Sequence, residues 1–232
     1  MIARASLLPV TRHEQVDSAC WKVSKMFREA RQIVLDACHE LADIGFLPGT
    51  GGNVAFRASS DVIAITPSAC DYYTMDVDDI CLVELATSKQ VFGQRRPSVE
   101  LGIHSRLLTY RQDFHASIHT HQPVASAITL LQRSLPIDDA DDRAQLGSVA
   151  PLIGYAPSGT GFLARAFGKG LRREASAYLL KNHGIVCGGA SMPQAIANVG
   201  RLERAAKRYL LARLTPGLSS QIRDLVVRSL SS

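Results

Sequence analysis

Phe114-His115-Ala116-Ser117-Ile118-His119-Thr120-His121 is the stretch on which the reading of the fold turns. Its alternation has the two-residue period of a strand. Phe114, Ala116 and Ile118 share one face and are expected to pack inward, while His119 and His121 leave the other. At about 6.6 Å apart along the backbone, two imidazoles on one face can converge on one cation, since zinc takes nitrogen at about 2.0–2.1 Å. The same spacing also suits two partly exposed histidines. His115 shares their parity but lies further back and reads as a bystander.

Outward from this strand, Pro123 opens a helix to about Leu131 on one side. On the other, Pro97-Ser98 starts a helix with Ser98 as N-cap, running from Val99 to about Tyr110. Upstream, Met26, Ile33, Val34, Ala37, Leu41 and Ile44 recur with helical spacing between Val23 and Ile44, and Gly45 stops the helix. A loop with three glycines follows, Pro48-Gly49-Thr50-Gly51-Gly52-Asn53, then short strands Val54–Phe56 and Val62–Ile65. Ile80–Leu85 and Gln90–Phe92 form a hairpin around Thr87-Ser88. Downstream, 135–156 has no decisive period, and a helix is expected from about Thr160 to Leu171. Strands Ala177–Leu180 and Ile185–Cys187 flank the turn Asn182-His183-Gly184, and a long helix runs from Ser191 and Pro193 to about Leu214. This order predicts one α/β domain over residues 23–232, with a mostly antiparallel or mixed sheet and helices on its faces, behind an N-terminal extension at 1–22.

Composition narrows the function classes. The 232 residues are 46% hydrophobic and 20% charged, which excludes a disordered chain. No apolar run approaches the roughly 18 residues of a membrane span. The start, MIARASLLPVTRHE, shows no signal-peptide pattern, so a cytoplasmic protein is expected. Five scattered cysteines without a C-x-x-C pair suggest neither a disulfide framework nor a zinc ribbon. The net charge of +5 comes from separated basic groups, such as Arg95-Arg96 and Arg201 to Arg208, without the interleaved aromatics that base stacking requires. No nucleic-acid partner is expected.

His183 adds weight to the histidine pair. It sits between two strands where Gly184 permits a tight bend, and functional groups concentrate in such loops. A third ligand there would leave a fourth position open, the pattern of catalytic zinc sites. Glu100 has three readings: a partner for the helix dipole, an i,i+4 partner of His104, or a catalytic carboxylate. Spacing alone does not choose among them.

Together these pieces resemble the class II aldolase/adducin family. The matching motifs are Gly49-Thr50-Gly51-Gly52-Asn53, Ile65-Thr66-Pro67-Ser68, Pro97-Ser98-Val99-Glu100 with His104, His119-Thr120-His121, and Leu180-Lys181-Asn182-His183-Gly184, in the family's order. The resemblance implies a three-layer α/β/α domain with a largely antiparallel central sheet, and a homotetramer with active sites at subunit interfaces. It implies a small-molecule substrate and a bound Zn2+, or another divalent metal, held by His119, His121 and His183. Glu100 would be the acid/base group, also able to approach the metal. Thr50, Gly52, Asn53, Ser68, Ala69 and Ser98 would bind the substrate phosphate. The activity implied is zinc-dependent carbon–carbon cleavage, by aldol-type cleavage or decarboxylation, of a sugar phosphate or sugar-acid phosphate through a metal-stabilised enediolate. Proton transfer by Glu100 would call for a carboxyl raised towards neutrality.

The sequence departs from the family pattern at Val99 and Ala69, which weakens the phosphate loops. Ala140 stands where the sugar-phosphate aldolase has a tyrosine, and no tyrosine follows Tyr209; Tyr72, Tyr73 or Tyr155 are possible substitutes. These departures shift weight from fuculose-phosphate cleavage towards decarboxylation. Alternatives are a methylthioribulose-phosphate dehydratase, a pentulose-phosphate epimerase (whose branch carries aspartate at the Glu100 position), and a non-catalytic adducin-like interaction module.

Overall fold

The computed structural model describes residues 12–214 and 216–231, with side chains from residue 24 onwards except 215, 223 and 229–231. In chain order the elements are α1 (Arg12–Asp43), β1 (Asn53–Arg57), β2 (Val62–Ile65), β3 (Cys81–Glu84), β4 (Gln90–Phe92), α2 (Leu101–Tyr110), β5 (Ala116–Thr120) and α3 (Pro123–Ile128). They continue with β6 (Leu135–Pro136), α4 (Ala140–Leu146), β7 (Val149–Ala150), β8 (Leu152–Ile153), α5 (Gly161–Gly170), β9 (Ala177–Leu180), β10 (Ile185–Gly189), α6 (Met192–Leu214) and α7 (Ser220–Ser231).

Eight strands form one sheet in the order β4-β3-β2-β1-β5-β10-β9-β8. Its pairings are antiparallel except β8 with β9. Alternation along the strands builds two cores. Val54, Ala64, Leu82, Ile118 and Cys187 face a layer made by α1, α3, α4 and α6. Their neighbours Ala55, Ile63, Ile65, Val83 and Val186 face α2 and α5, through Ile103, Leu107, Leu108, Leu163 and Phe167. The expected three-layer α/β/α architecture is present. No described helix is long and apolar enough to cross a membrane.

The structure departs from the sequence reading in several places. Phe114 lies ahead of the strand and packs with α2 and α5, not with Ala116 and Ile118. α1 begins at Arg12, eleven residues earlier than the apolar spacing indicated; helix formers such as Arg12, Glu14, Gln15 and Lys22 continue it. The proposed extension at 1–22 lies partly outside the described residues. The undecided stretch contains α4, a seven-residue helix whose N-cap Asp139 accepts from the backbone N–H groups of Asp141 and Asp142. Lastly, α2 starts at Leu101 with Glu100 as its N-cap, two residues later than expected. The Ser98 hydroxyl accepts from the Glu100 backbone N–H at 3.2 Å, a local turn that delays the helix.

Candidate active site

The site is assembled where β1, β5 and β10 lie side by side. Asn53 opens β1 directly opposite His119 of β5, and Val186 of β10 flanks His119 on its other edge. His183 stands in the turn before β10, where Asn182 takes the left-handed conformation (φ 55) that asparagine tolerates. The imidazoles of His119, His121 and His183 converge, with one ligating atom from each lying within 4.8 Å of the others. The spatial grouping inferred from the H-x-H strand and the later turn is therefore present. His115 stands apart, its ring 6.4 Å from that of Phe56.

The His119 Nδ1–H donates to the Ile185 carbonyl at 2.7 Å, which turns Nε2 towards the cluster, where it could ligate a metal ion. That Nε2 lies 3.0 Å from His121 Nε2 and 3.1 Å from Glu100 Oε2. Glu100 Oε1 lies 3.3 Å from His183 Nε2. Burial, reinforced by the neighbouring His119 and His183, pushes the His121 imidazole down to about 4. Burial and His119 lower His183 as well. The separations suit a cation: ligands on one tetrahedral zinc stand about 3.3 Å apart, given bonds of about 2.0–2.1 Å. Imidazole nitrogens with a carboxylate oxygen are a donor set for a borderline divalent ion.

Each Glu100 oxygen has its own hydrogen-bond donor. Asn53 Nδ2 donates to Oε2 at 2.9 Å, and the Ser158 hydroxyl donates to Oε1 at 2.8 Å. Burial alone would raise this carboxyl. The His119 imidazole beside it, with Asn53 and Ser158, outweighs burial and holds it well below the usual carboxylate range. This corrects the expectation of a carboxyl raised towards neutrality.

Behind Asn53 lies a residue that spacing misassigned. His104 does not serve as a helical partner of Glu100: its Nε2 stands 2.5 Å from Asn53 Oδ1 and its Nδ1 2.7 Å from the Ser117 hydroxyl. Because Oδ1 only accepts, Nε2 carries the hydrogen, and Ser117 donates to Nδ1. Burial pushes His104 down to about 3, so this ring is neutral. It orients the Asn53 amide so that its N–H faces Glu100.

The glycine loop lies against the histidines. A Cβ on Gly51 would stand 3.1 Å from His121 Nδ1, and one on Gly52 (φ 85) would meet Leu47 and the His119 carbonyl. Tyr72 braces this loop, donating to the Gly52 carbonyl at 2.6 Å. The loops carrying Ser68 and Ser98 are tied together by Ser68 N–H to the Arg96 carbonyl at 2.9 Å and Ser98 N–H to the Thr66 carbonyl at 3.0 Å. Ser98 is buried, whereas Thr50 is exposed at the rim and Ala69 is left-handed (φ 51). Ala140 opens α4, which packs on α6, while Tyr155 is 63% and Tyr73 67% exposed.

The family model of the Class II Aldolase and Adducin N-terminal domain matches residues 32–210, and the chain belongs to this family. It is an enzyme of the class II aldolase type. It is similar to the 5-deoxy-D-ribulose 1-phosphate aldolase of Bacillus thuringiensis, 29% identical over 188 residues, covering 79% of this chain and 85% of the relative. It is also similar to the methylthioribulose-1-phosphate dehydratase of Yersinia enterocolitica, 29% identical over 208 residues, covering 78% and 91%. Among solved structures, an L-fuculose 1-phosphate aldolase superposes with a TM-score of 0.76 at 29% identity, covering 88% of this chain and 97% of that one.

Proposed function

We propose that the chain is a zinc-dependent lyase that breaks a carbon–carbon bond in a small phosphorylated ketose, with Glu100 moving the proton. The observation that carries this reading is the convergence of three imidazoles on a carboxylate 3.1 Å from His119 and 3.3 Å from His183. His119, His121 and His183 would hold the metal. When bound, it would supply a Lewis acid for the negative charge left on the substrate oxygens as the bond breaks. Glu100, anchored on both oxygens, would as a carboxylate take a proton from the carbon beside the carbonyl in condensation. In cleavage the substrate hydroxyl that becomes the aldehyde carbonyl gives up its proton, and Glu100, protonated in its turn, delivers one to that carbon. The backbone N–H of Gly52, with the loop that carries Asn53, the hydroxyls of Thr50, Ser68 and Ser98 and the backbone of Ala69, would receive the phosphate. The Asn53 side chain is engaged by Glu100 and His104, and its backbone pairs with His119 in the sheet, so Asn53 would shape the anion loop rather than hold the anion itself.

The names of the relatives favour ketose 1-phosphates as substrates. Decarboxylation of a sugar-acid phosphate is the second reading, favoured by Ala140. Expulsion of carbon dioxide needs no proton donor on an aldehyde oxygen. We further propose a cytoplasmic homotetramer with its sites at subunit interfaces. Exposed Val99 and Tyr155, on segments beside Glu100 and Ser158, suit a surface covered by a neighbouring subunit. The test of function is incubation of the zinc-loaded protein with 5-deoxyribulose 1-phosphate, fuculose 1-phosphate and 3-oxo sugar-acid phosphates, following dihydroxyacetone phosphate and carbon dioxide. Release of the triose phosphate from a ketose 1-phosphate is expected. Release of carbon dioxide alone would install the second reading, and neither product would overturn both.

A further inference from the structure

We infer that Ser158 is a positioning residue for Glu100, holding its carboxylate at the histidine cluster. This rests on the function proposed above and adds a residue on a different loop, 58 positions away in sequence.

The two oxygens of Glu100 are placed alike. Oε2 accepts from Asn53 and faces His119; Oε1 accepts from Ser158 and faces His183. The two anchors differ in character. Asn53 is buried in the central sheet, with its amide fixed by His104. Ser158 is exposed, on the segment that joins β8 to α5. The backbone of that segment is nonetheless defined on both sides of the serine. Gly159 is left-handed (φ 70) and lies so close to Val99 that a Cβ there would stand 3.0 Å from Val99 Cγ2. Thr160 caps α5 by accepting from the Leu163 backbone N–H, and its hydroxyl donates to the Pro157 carbonyl at 2.6 Å. The contact with Val99, next in sequence to Glu100, joins the serine loop to the segment bearing the carboxylate.

With Asn53 alone, the carboxylate retains one fixed oxygen and can rotate about its last side-chain bond. A hydroxyl on the second oxygen removes that freedom. A bond from a neutral donor to an ionised carboxylate is among the stronger hydrogen bonds. Loss of groups that orient ligands and carboxylates around metal sites typically costs 10–100-fold in metal affinity or activity. Because the Ser158 hydroxyl is spent on Glu100, its loss should act on turnover and metal retention while leaving substrate affinity intact.

The test compares wild type, Ser158→Ala and Ser158→Thr as full-length zinc-loaded proteins. Three quantities are read: kcat and KM for the best ketose 1-phosphate, the zinc dissociation constant by competition with a chromophoric chelator, and the thermal midpoint. Ser158→Ala should lower kcat about 10-fold, with KM within twofold, and weaken zinc binding at least threefold. Its midpoint should stay within about 3 °C, because the residue is exposed. Ser158→Thr, which keeps the hydroxyl, should recover most of kcat. An alanine variant that matches wild type in kcat and zinc affinity overturns the inference while leaving the proposed function standing. So does a loss in Ser158→Ala that the threonine variant fails to recover, since the hydroxyl would then not be the active feature. Wild-type protein that neither binds zinc nor turns over any substrate overturns the proposed function, and this inference with it.

Discussion

The Asn53 amide and the Glu100 carboxylate, 47 residues apart in the chain, meet at 2.9 Å, and His104 on the far side of Asn53 determines which end of the amide faces the acid. The fold thus presents an N–H, not a carbonyl, to the carboxylate.

Asn53→Asp keeps the shape and removes that donor. Two carboxylates at hydrogen-bond distance cannot both ionise without penalty, so the Glu100 carboxyl is displaced or protonated. Turnover should fall at least 10-fold, and stability measured by urea unfolding should drop by about 1–3 kcal/mol. Turnover within twofold of wild type would show that the Asn53 donor is dispensable.

Gly184 tests the packing behind the histidines. A Cβ there would lie 2.5 Å from His121 Cδ2, 2.5 Å from the Thr120 carbonyl and 3.1 Å from His119 Cε1. Backbone and two imidazoles would have to move together. Gly184→Ala should therefore lose most bound zinc, read as metal per chain after desalting, and cost about 1–3 kcal/mol of stability. Full zinc occupancy in this variant would show that the cluster tolerates displacement or does not hold the metal.

Ala69 occupies the left-handed region (φ 51), where a Cβ costs about 1–2 kcal/mol. Glycine there relieves the strain but gives the unfolded chain about 0.4–1 kcal/mol of added freedom. Ala69→Gly should leave stability unchanged or raise it by up to about 1 kcal/mol. A destabilisation above about 1 kcal/mol would mean that the methyl group makes packing contacts that outweigh its backbone strain.

His104 predicts a pH dependence. Its imidazole is pushed from 6.5 to about 3 by burial in the folded protein. Between those values the unfolded chain takes a proton that the folded chain refuses, so stability is retained above about pH 6.5 and declines as pH falls. The contribution of one such group is about 1.4 kcal/mol per pH unit. Urea unfolding at pH 6, 5 and 4 should show a slope shallower by about that amount in His104→Gln than in wild type. Equal slopes would mean that His104 titrates normally.

The parts of this molecule that sequence exposes are those governed by local periodicity. Alternation in 114–121 marked β5 and put His119 and His121 on one face, and a turn between two strands marked His183. Geometry then joined them because β5 and β10 are neighbours in the sheet. What stayed hidden depends on distant partners or on weak local signals. Ser158 and His104 carry no periodic signature, and each acquires its role from a residue more than fifty positions away. Ser98 does accept from the Glu100 backbone N–H as an N-cap would, but the turn it caps precedes α2, which begins at Leu101. The short, acid-rich α4 offers too little amphipathic pattern to separate it from a loop. The sequence reading ends its last helix near Leu214 and does not include α7.

The central claim is that three histidines hold one metal that the chemistry requires. Its most direct test is a zinc titration of chelator-stripped protein while dihydroxyacetone phosphate is released from a ketose 1-phosphate. Turnover should be absent at the start, rise in proportion to zinc, and level off at about one zinc per chain, the capacity of one site of three protein ligands. His121→Ala should stay flat throughout. Full turnover before any zinc is added, or a His121→Ala titration that overlays wild type, would contradict the account.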